Sequence, residues 1–583
     1  MPPAIETRAA RGVSAAGGAQ VAVRGRASRR ATLVLFAGLA ALFFAGLGRL
    51  PLVDPDEGRY AEIPREMLAN GDWIVPRLDG VLYFEKPPLY YWLNAVVYRI
   101  AGLDETTSRV WSALFALGGA GLALALARSA DRRATGLGAA AVLGSSPLYL
   151  TFARVNSIDM TLAVLVSATL TLFWLAHERP PGRATRALWY GAFVAAALAV
   201  LTKGLIGMVI PGAVVFLYVL LAGRWALLRR VPWWSGSALF LAVALPWHLA
   251  IGRRHPDFWW FYFVHEHFLR YSTGSAHRAA PFWFFFAVVL LGMLPWSGLV
   301  VASAKLVRLP RRERTPGAGA PLFLALWSGF VVVFFSVSKS KLVPYVLPAL
   351  VPLAVAAELV WLRAVAEAGA IRRWVVRGGI VGVAGTALLA MTLAAAARGW
   401  IPRVPREGVA SMTVVALALA AVVLAAVAAR AWARWAPRSA FAASALCGVA
   451  LFGCVLLAAQ VVGPLPSTRQ LARLLRPRLA SGDRVVAFGD YPRSLSAYLG
   501  REIAVVGNHG ELSFGIDHLD PDERARRFPE VDALRGEWQG EETVYLVAPR
   551  KSVEQLREAG IDPGLALGRE GEMELFSNRR SRE

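Results

Sequence analysis

Long apolar runs separated by short charged connections restrict this sequence more than any motif does. A bilayer core takes roughly 20 apolar residues of helix per crossing. We place about 13 such runs, at 31–50, 107–128, 133–150, 158–177, 185–201, 205–222, 232–250, 281–303, 321–337, 342–362, 374–396, 408–433 and 438–461. Of the 583 residues, 56% are hydrophobic and only 18% charged, with 20 Trp. That balance excludes an ordinary soluble domain. The expected class is mainly α, a polytopic transmembrane protein.

The formal net charge of +23 resembles a nucleic-acid signal until it is mapped. Basic residues concentrate in every second connection, for example Arg24, Arg26, Arg29 and Arg30, then Arg128, Arg132 and Arg133, then Arg224, Arg229 and Arg230. This alternation is the positive-inside bias. It assigns the charge to topology, removes nucleic acid as a partner, and predicts a cytoplasmic N-terminus and an external C-terminus. Cys447 and Cys454 both lie in the last run. Seven residues of helix separate them by about 10 Å, too far for a disulfide.

Residues 1–30 are rich in Ala, Gly and Arg and are expected to be disordered and cytoplasmic. The first run is expected to stay as an anchor, since it is long and no clear cleavage motif follows it. Membrane segments then occupy 31–461, with large outer loops at 51–106 and 251–280. From 462 to 583 the pattern shifts to RVVAFGDY, EIAVVG and ETVYLVAP, which read as strands, and TRQLARLLRPRL and SVEQLREAG, which read as helices. A small external α/β domain follows from that shift. Its glycines make no GxGxxG, and a structural cap is its simplest role.

The outer connections hold the residues able to do chemistry. The first, 51–106, carries Asp54, Asp56, Glu57, Arg59, Tyr60, Glu85 and Lys86, and its AEIPREMLANG and PLYYWLNAVVYRI segments suit amphipathic helices at the interface. Asp159 stands at the edge of the fourth run, as a helix cap or as a site acid. Lys203, in LTKG, is either a snorkelling lysine or a site cation. The loop 251–280 carries His255, His265, Glu266, His267, Arg270 and His277. Lys339, Lys341 and Tyr345 follow in SVSKSKLVPYVLP. Cations on the outer face run against the topology bias and call for a local anion, of which a lipid-linked phosphate fits best. Carboxylates beside it suit activation of an acceptor or stabilisation of an oxocarbenium-like centre. In an extended segment His265 and His267 would point the same way. With Glu85 they would make a zinc-type site with an open position, although an HxH among aromatics also occurs as a plain interfacial feature.

PDEGRYAEI followed by YFEKPPLYYW resembles the membrane glycosyltransferases that use polyprenyl-phosphate sugars. Among these the chain is most similar to the bacterial transferases that add 4-amino-4-deoxy-L-arabinose to lipid A, relatives of the protein O-mannosyltransferases. LTKG, HEHFLRY and KSKLVPYVLP extend the likeness across the membrane part. The resemblance implies a GT-C fold and an inverting transfer from undecaprenyl phosphate to lipid A or a similar glycolipid, at the periplasmic face of the bacterial inner membrane. It implies Asp56 as catalytic carboxylate, with Asp159 and Glu57 as further acids. Lys86, Lys203, Arg270 and Tyr345 would hold the carrier phosphate, and Tyr60 and Arg59 would line the donor cavity. Glu85, His265 and His267 would bind a structural divalent metal, zinc by its ligands. Such a transfer is the chemistry of polymyxin resistance. Gly58 after PDE and PPLYYW after FEK depart from the family pattern and leave sugar and acceptor open, including a protein or glycan hydroxyl. Two other classes remain: a transporter of lipid-linked sugars, which would carry charges at mid-membrane within inverted repeats, and a non-catalytic scaffold.

Overall fold

A computed structural model describes residues 29–269, 280–308, 317–401, 410–461 and 465–579. The segment 1–28, Arg270 and His277 fall outside these residues, as does the side chain of His267.

Each of the thirteen apolar runs is mostly helical over its described residues. Nine helices among the described residues are long and apolar enough to cross a bilayer, ten when one bent pair counts as a span. The expected thirteen therefore includes shorter and interrupted pieces. The run at 281–303 is two helices, Phe284–Gly292 and Ser297–Leu306, meeting at 115°. Pro295 sits in the break, where it lacks an N–H and restricts the residue before it. The run at 133–150 is likewise Leu137–Ser145 and Pro147–Phe152, with Ser146 extended before Pro147 at the second helix's start. Pro147 accounts for that break in the same way.

The first outer loop folds into two helices, Asp56–Asn70 and Leu89–Ala101, with a small hairpin between them. Strands β1 (Arg77–Leu78) and β2 (Val81–Leu82) pair around Asp79 and Gly80, whose φ angles are 52° and 72°. Asp-Gly is the pair that such a tight turn demands. The Asp56–Asn70 helix departs from the interfacial expectation. Its residues Glu57 to Pro64 are all buried, because the C-terminal domain covers the side that an interfacial helix would show to water.

That domain holds a five-stranded sheet in the order β4 (Ala504–Val506), β3 (Arg484–Phe488), β5 (Val544–Pro549), β7 (Met573–Ser577), β6 (Gly568–Glu570). β3 is parallel to both β4 and β5, and β7 is antiparallel to β5 and β6. Alternate residues face opposite ways along each strand. Val486, Phe488, Leu546 and Phe576 share a core with Leu534. Val485, Ala487, Val505 and Tyr545 share a core with Tyr60, Ile63, Met67, Tyr83 and Tyr90 of the first outer loop. Domain and loop are thus one packed unit. Gly58 belongs to this contact: a Cβ there would lie 2.4 Å from both Asp54 Oδ1 and the Ser494 backbone nitrogen. The departure noted in the PDEGRY motif is the space the domain needs.

A buried ion pair anchors the loop to the membrane helices. Arg109, near the start of the Glu105–Ala130 helix, donates Nε and Nη2 to the two oxygens of Glu57 at 2.7 and 2.6 Å. It also donates to the carbonyls of Leu47, Leu50 and Pro51. Glu57 accepts from the backbone nitrogens of Val53 and Asn156. Both side chains are 3% exposed. Removing one partner strands a buried charge, so Glu57→Ala is expected to lower stability by about 3–5 kcal/mol, read as a fall in the thermal unfolding midpoint in detergent.

The hairpin carries a pH-sensitive contact. Asp79 is fully buried; Oδ1 accepts from the Ile503 nitrogen at 3.0 Å and Oδ2 has no partner. Burial pushes its carboxyl from 3.8 up to about 7, against the Ile503 hydrogen bond and Arg527, which pull it down. A carboxyl raised by folding is favoured in its protonated form. Its stabilising effect is complete below its unfolded pKa and disappears as pH climbs through the folded one. Protection of the Ile503 amide from hydrogen exchange, corrected for the intrinsic pH dependence, should therefore fall between pH 6 and 8. Asp79→Asn should flatten that slope.

Candidate functional site

A partly open cavity of about 160 Å³ lies where the first outer loop meets the ends of the membrane helices. Local sequence explains how each charged group reaches it. Asp56 opens its helix in the first turn, where a negative charge suits the helix dipole. Arg59 lies three residues on, on the same face, and its Nη2 pairs with Asp56 Oδ1. Glu85 and Lys86 occupy the bend before Pro88, which precedes the Leu89–Ala101 helix. Asp159 stands in the first turn of the Ile158–Glu178 helix, capped by Ser157. Lys203 ends the Arg183–Lys203 helix before left-handed Gly204. Tyr345 comes from the short turn Val343–Val346.

Three ion pairs converge there. Arg59 pairs with Asp56 and Lys203 with Asp159. Lys86 Nζ lies 3.1 Å from Glu266 Oε2 and 3.8 Å from Glu85 Oε2. The Lys203 ammonium also sits 4.8 Å from the Tyr345 ring centre, a cation–π distance. Asp56 is the open member, its side chain 52% exposed, whereas Arg59 is 9% exposed. Burial, which disfavours its charge, is outweighed by Glu511, Tyr83 and Asp56, so Arg59 stays cationic. Burial pushes the Tyr60 and Tyr83 phenols well above their ordinary value, so both remain neutral hydroxyls. On its apolar side the cavity is closed by Leu162, Ile206, Phe334 and Phe335. Cations, carboxylates and apolar wall together suit a phosphate joined to both a sugar and a long hydrocarbon.

Of the residues singled out in the sequence, Asp56, Arg59, Tyr60, Glu85, Lys86, Asp159, Lys203 and Tyr345 line this one cavity. Asp56 and Lys86 share it, which excludes the arrangement in which they point into separate compartments. Glu57 does not line it: one residue along the helix from Asp56, it points the other way, onto Arg109. Lys339 is exposed and Lys341 bonds to the Ser338 carbonyl; neither lines the cavity. His265 is half-exposed, stacks on Phe261, and its Nδ1 lies 3.5 Å from Glu266 Oε1. The backbone over Trp260–Leu269 is a wide π-type helix, so the alignment of His265 and His267 inferred for an extended segment does not apply. Among the described residues no three His, Cys, Asp or Glu form a metal-binding group.

Sequence reasoning gave no role to Glu266 and passed over Tyr83, both of which line the cavity, and passed over Glu511, which reaches Arg59 from the C-terminal domain. Tyr83 and Glu266 stand inside the YFEKPP and HEH motifs and were within reach. Nothing in the sequence around Glu511 marks it.

Residues 30–262 match the family described as dolichyl-phosphate-mannose-protein mannosyltransferase, and 471–571 the aminoarabinose transferase C-terminal domain. The chain is 34% identical over 316 residues to the undecaprenyl phosphate-alpha-4-amino-4-deoxy-L-arabinose arabinosyl transferase of Shewanella sediminis. It is 36% identical over 313 residues to the protein of that name in Aeromonas salmonicida. These matches span 54% and 53% of this chain and about half the length, 56%, of each relative. Over nearly the whole molecule the fold is similar to the crystal structure of ArnT from Cupriavidus metallidurans bound to undecaprenyl phosphate. The TM-score is 0.79 at 30% identity, covering 94% of this chain and 98% of that one. The apo form of the same protein gives 0.77 at 29% identity, with the same coverage. With membrane helices, first outer loop and C-terminal domain all included in that likeness, the chain belongs to the ArnT family of GT-C glycosyltransferases.

Proposed function

We propose that this protein transfers 4-amino-4-deoxy-L-arabinose from undecaprenyl phosphate to a phosphate of lipid A, at the periplasmic face of the bacterial inner membrane. The observation that carries the reading is the cavity in which Lys86, Lys203 and Arg59 each meet a carboxylate beside an apolar wall. The names of the relatives and the undecaprenyl phosphate bound to the Cupriavidus protein support the donor. The alternating basic connections support the orientation.

In this reaction the bond between the sugar's anomeric carbon and the carrier phosphate oxygen breaks, and a bond to an acceptor phosphate oxygen forms from the opposite face. The departing undecaprenyl phosphate takes the bonding electrons. Lys86, Lys203 and Arg270 neutralise it as it leaves, and the Tyr345 hydroxyl donates a hydrogen bond to it. A lipid A phosphate is already anionic near neutral pH, so no base has to remove a proton. Asp56, exposed in the cavity and steadied by Arg59, then orients the acceptor or faces the positive charge growing on the ring, with Asp159 beside it. The added amine offsets a phosphate charge on the cell surface and so weakens attraction of cationic polymyxin. The mannosyltransferase match over 30–262 favours one second reading, a hydroxyl acceptor, in which Asp56 would have to accept a proton.

Asp56→Asn should lower kcat by about 10²–10³-fold while donor binding persists. Lys86→Ala should weaken donor binding as well. Mass spectrometry of lipid A from cells with and without each variant checks both; unmodified lipid A with the wild-type protein would overturn the reading. A divalent metal held by Glu85, His265 and His267 belongs to the same proposal. His265 fits it, having a buried Nδ1 with no hydrogen-bond partner. Metal would supply rigidity to the loops around the cavity, so chelation should reduce hydrogen-exchange protection over 257–269. Unchanged protection would count against it.

A further inference from the structure

The C-terminal domain does not line the cavity, but its Glu511 touches Arg59, which does. In open α/β sheets, ligand chemistry collects in the loops after the carboxyl ends of parallel strands. Here Arg493 opens the helix Arg493–Leu499 that follows β3, and Glu511 lies in the 3-10 turn Gly510–Leu512 that follows β4. Both turn toward the first outer loop, not toward a ligand of their own. Glu511 is 10% exposed. Its Oε1 accepts from Arg493 Nε at 2.9 Å, and its Oε2 takes Arg59 Nη1 with the Tyr83 hydroxyl 3.5 Å away. Arg59 has its other terminal nitrogen, Nη2, on Asp56 Oδ1.

We infer that Glu511 is a positioning residue for the transfer, acting through Arg59 to set how Asp56 is presented. A guanidinium with both terminal nitrogens available grips a carboxylate by both oxygens. With Nη1 on Glu511 and Nη2 on Asp56 Oδ1, the guanidinium is fixed in a rotation that leaves Nε without a hydrogen-bond partner, and Asp56 is held through one oxygen. Arg493 holds Glu511 from behind and keeps it out of the donor's space. Without the Glu511 charge, Arg59 turns onto both oxygens of Asp56 or onto the donor phosphate. In either case Asp56 loses its orientation while the cations that bind the carrier, Lys86 and Lys203, remain. The domain is then a component of the active site, beyond its part in packing.

The inference rests on the proposed transfer, and its test separates the two. Full-length wild type, Glu511→Gln and Glu511→Asp are reconstituted with undecaprenyl phosphate-linked aminoarabinose and lipid A. Glu511→Gln is expected to lower kcat per folded molecule by about a hundredfold, with the donor KM little changed and the unfolding midpoint lowered by the lost charge pair. Glu511→Asp, which keeps the charge, should recover part of the loss. Hydrogen exchange over 56–63 should quicken in Glu511→Gln while that over 493–499 stays as in the wild type. A merely structural interdomain contact would shift the midpoint and the 493–499 segment and leave kcat per folded molecule alone, and that result overturns the inference. Wild-type kcat in Glu511→Gln, or a change confined to KM, also overturns it. Absence of transfer by the wild type refutes the donor and acceptor instead, and the exchange comparison still decides the role of Glu511.

Discussion

The pairing of Glu57 with Arg109 is the constraint on which the remaining geometry depends. A carboxylate and a guanidinium taken out of water are costly unless every polar atom finds a partner. Here the guanidinium closes off three carbonyls from 47–51, and the carboxylate receives two backbone nitrogens. The end of the first membrane helix, the start of the Asp56–Asn70 helix, the Glu105–Ala130 helix and the 153–157 connection are thereby held at one point. Once that point is set, helical geometry leaves Asp56 and Arg59 on the side facing the cavity.

The cations of the cavity are already partnered before any substrate arrives. Each of Arg59, Lys86 and Lys203 has a carboxylate in contact. A phosphate entering such a site competes with carboxylates for cations already in place, and what it displaces are acids next to the sugar. In the proposed transfer, phosphate binding and release of those acids would be one exchange of partners.

Much of this was legible in the sequence, and the reasons differ by region. Apolar runs and period-two strands report burial directly, so the membrane helices and β3, β4 and β5 could be read from hydrophobicity. β6 and β7 could not, because GREGEMELFS mixes charges through a hairpin at the sheet's edge. PDEGRY, FEKP, LTKG and KSKLVPY supplied the cavity residues because each stands at a helix end, where a charge has few other uses. Glu57 was misread as catalytic for the same reason: adjacency to Asp56 says nothing about which side of a helix a residue takes. The burial of the Asp56–Asn70 helix and the reach of Glu511 were illegible, since both depend on contacts across hundreds of residues. Asp54 and Ser494, bonded to each other, are 440 positions apart.

The core shared by the first outer loop and the C-terminal sheet has a consequence for biosynthesis. The ribosome delivers Tyr60, Ile63 and Tyr83 near the beginning of translation, and Leu575, a member of the same cluster, near the end. Until the sheet forms, Tyr60 has only its loop neighbours Tyr90 and Tyr91 to pack against, and Arg59 has Asp56 but not Glu511. A chain cut before the C-terminal sheet would therefore keep the cavity-lining residues but lack the cover over the Asp56–Asn70 helix.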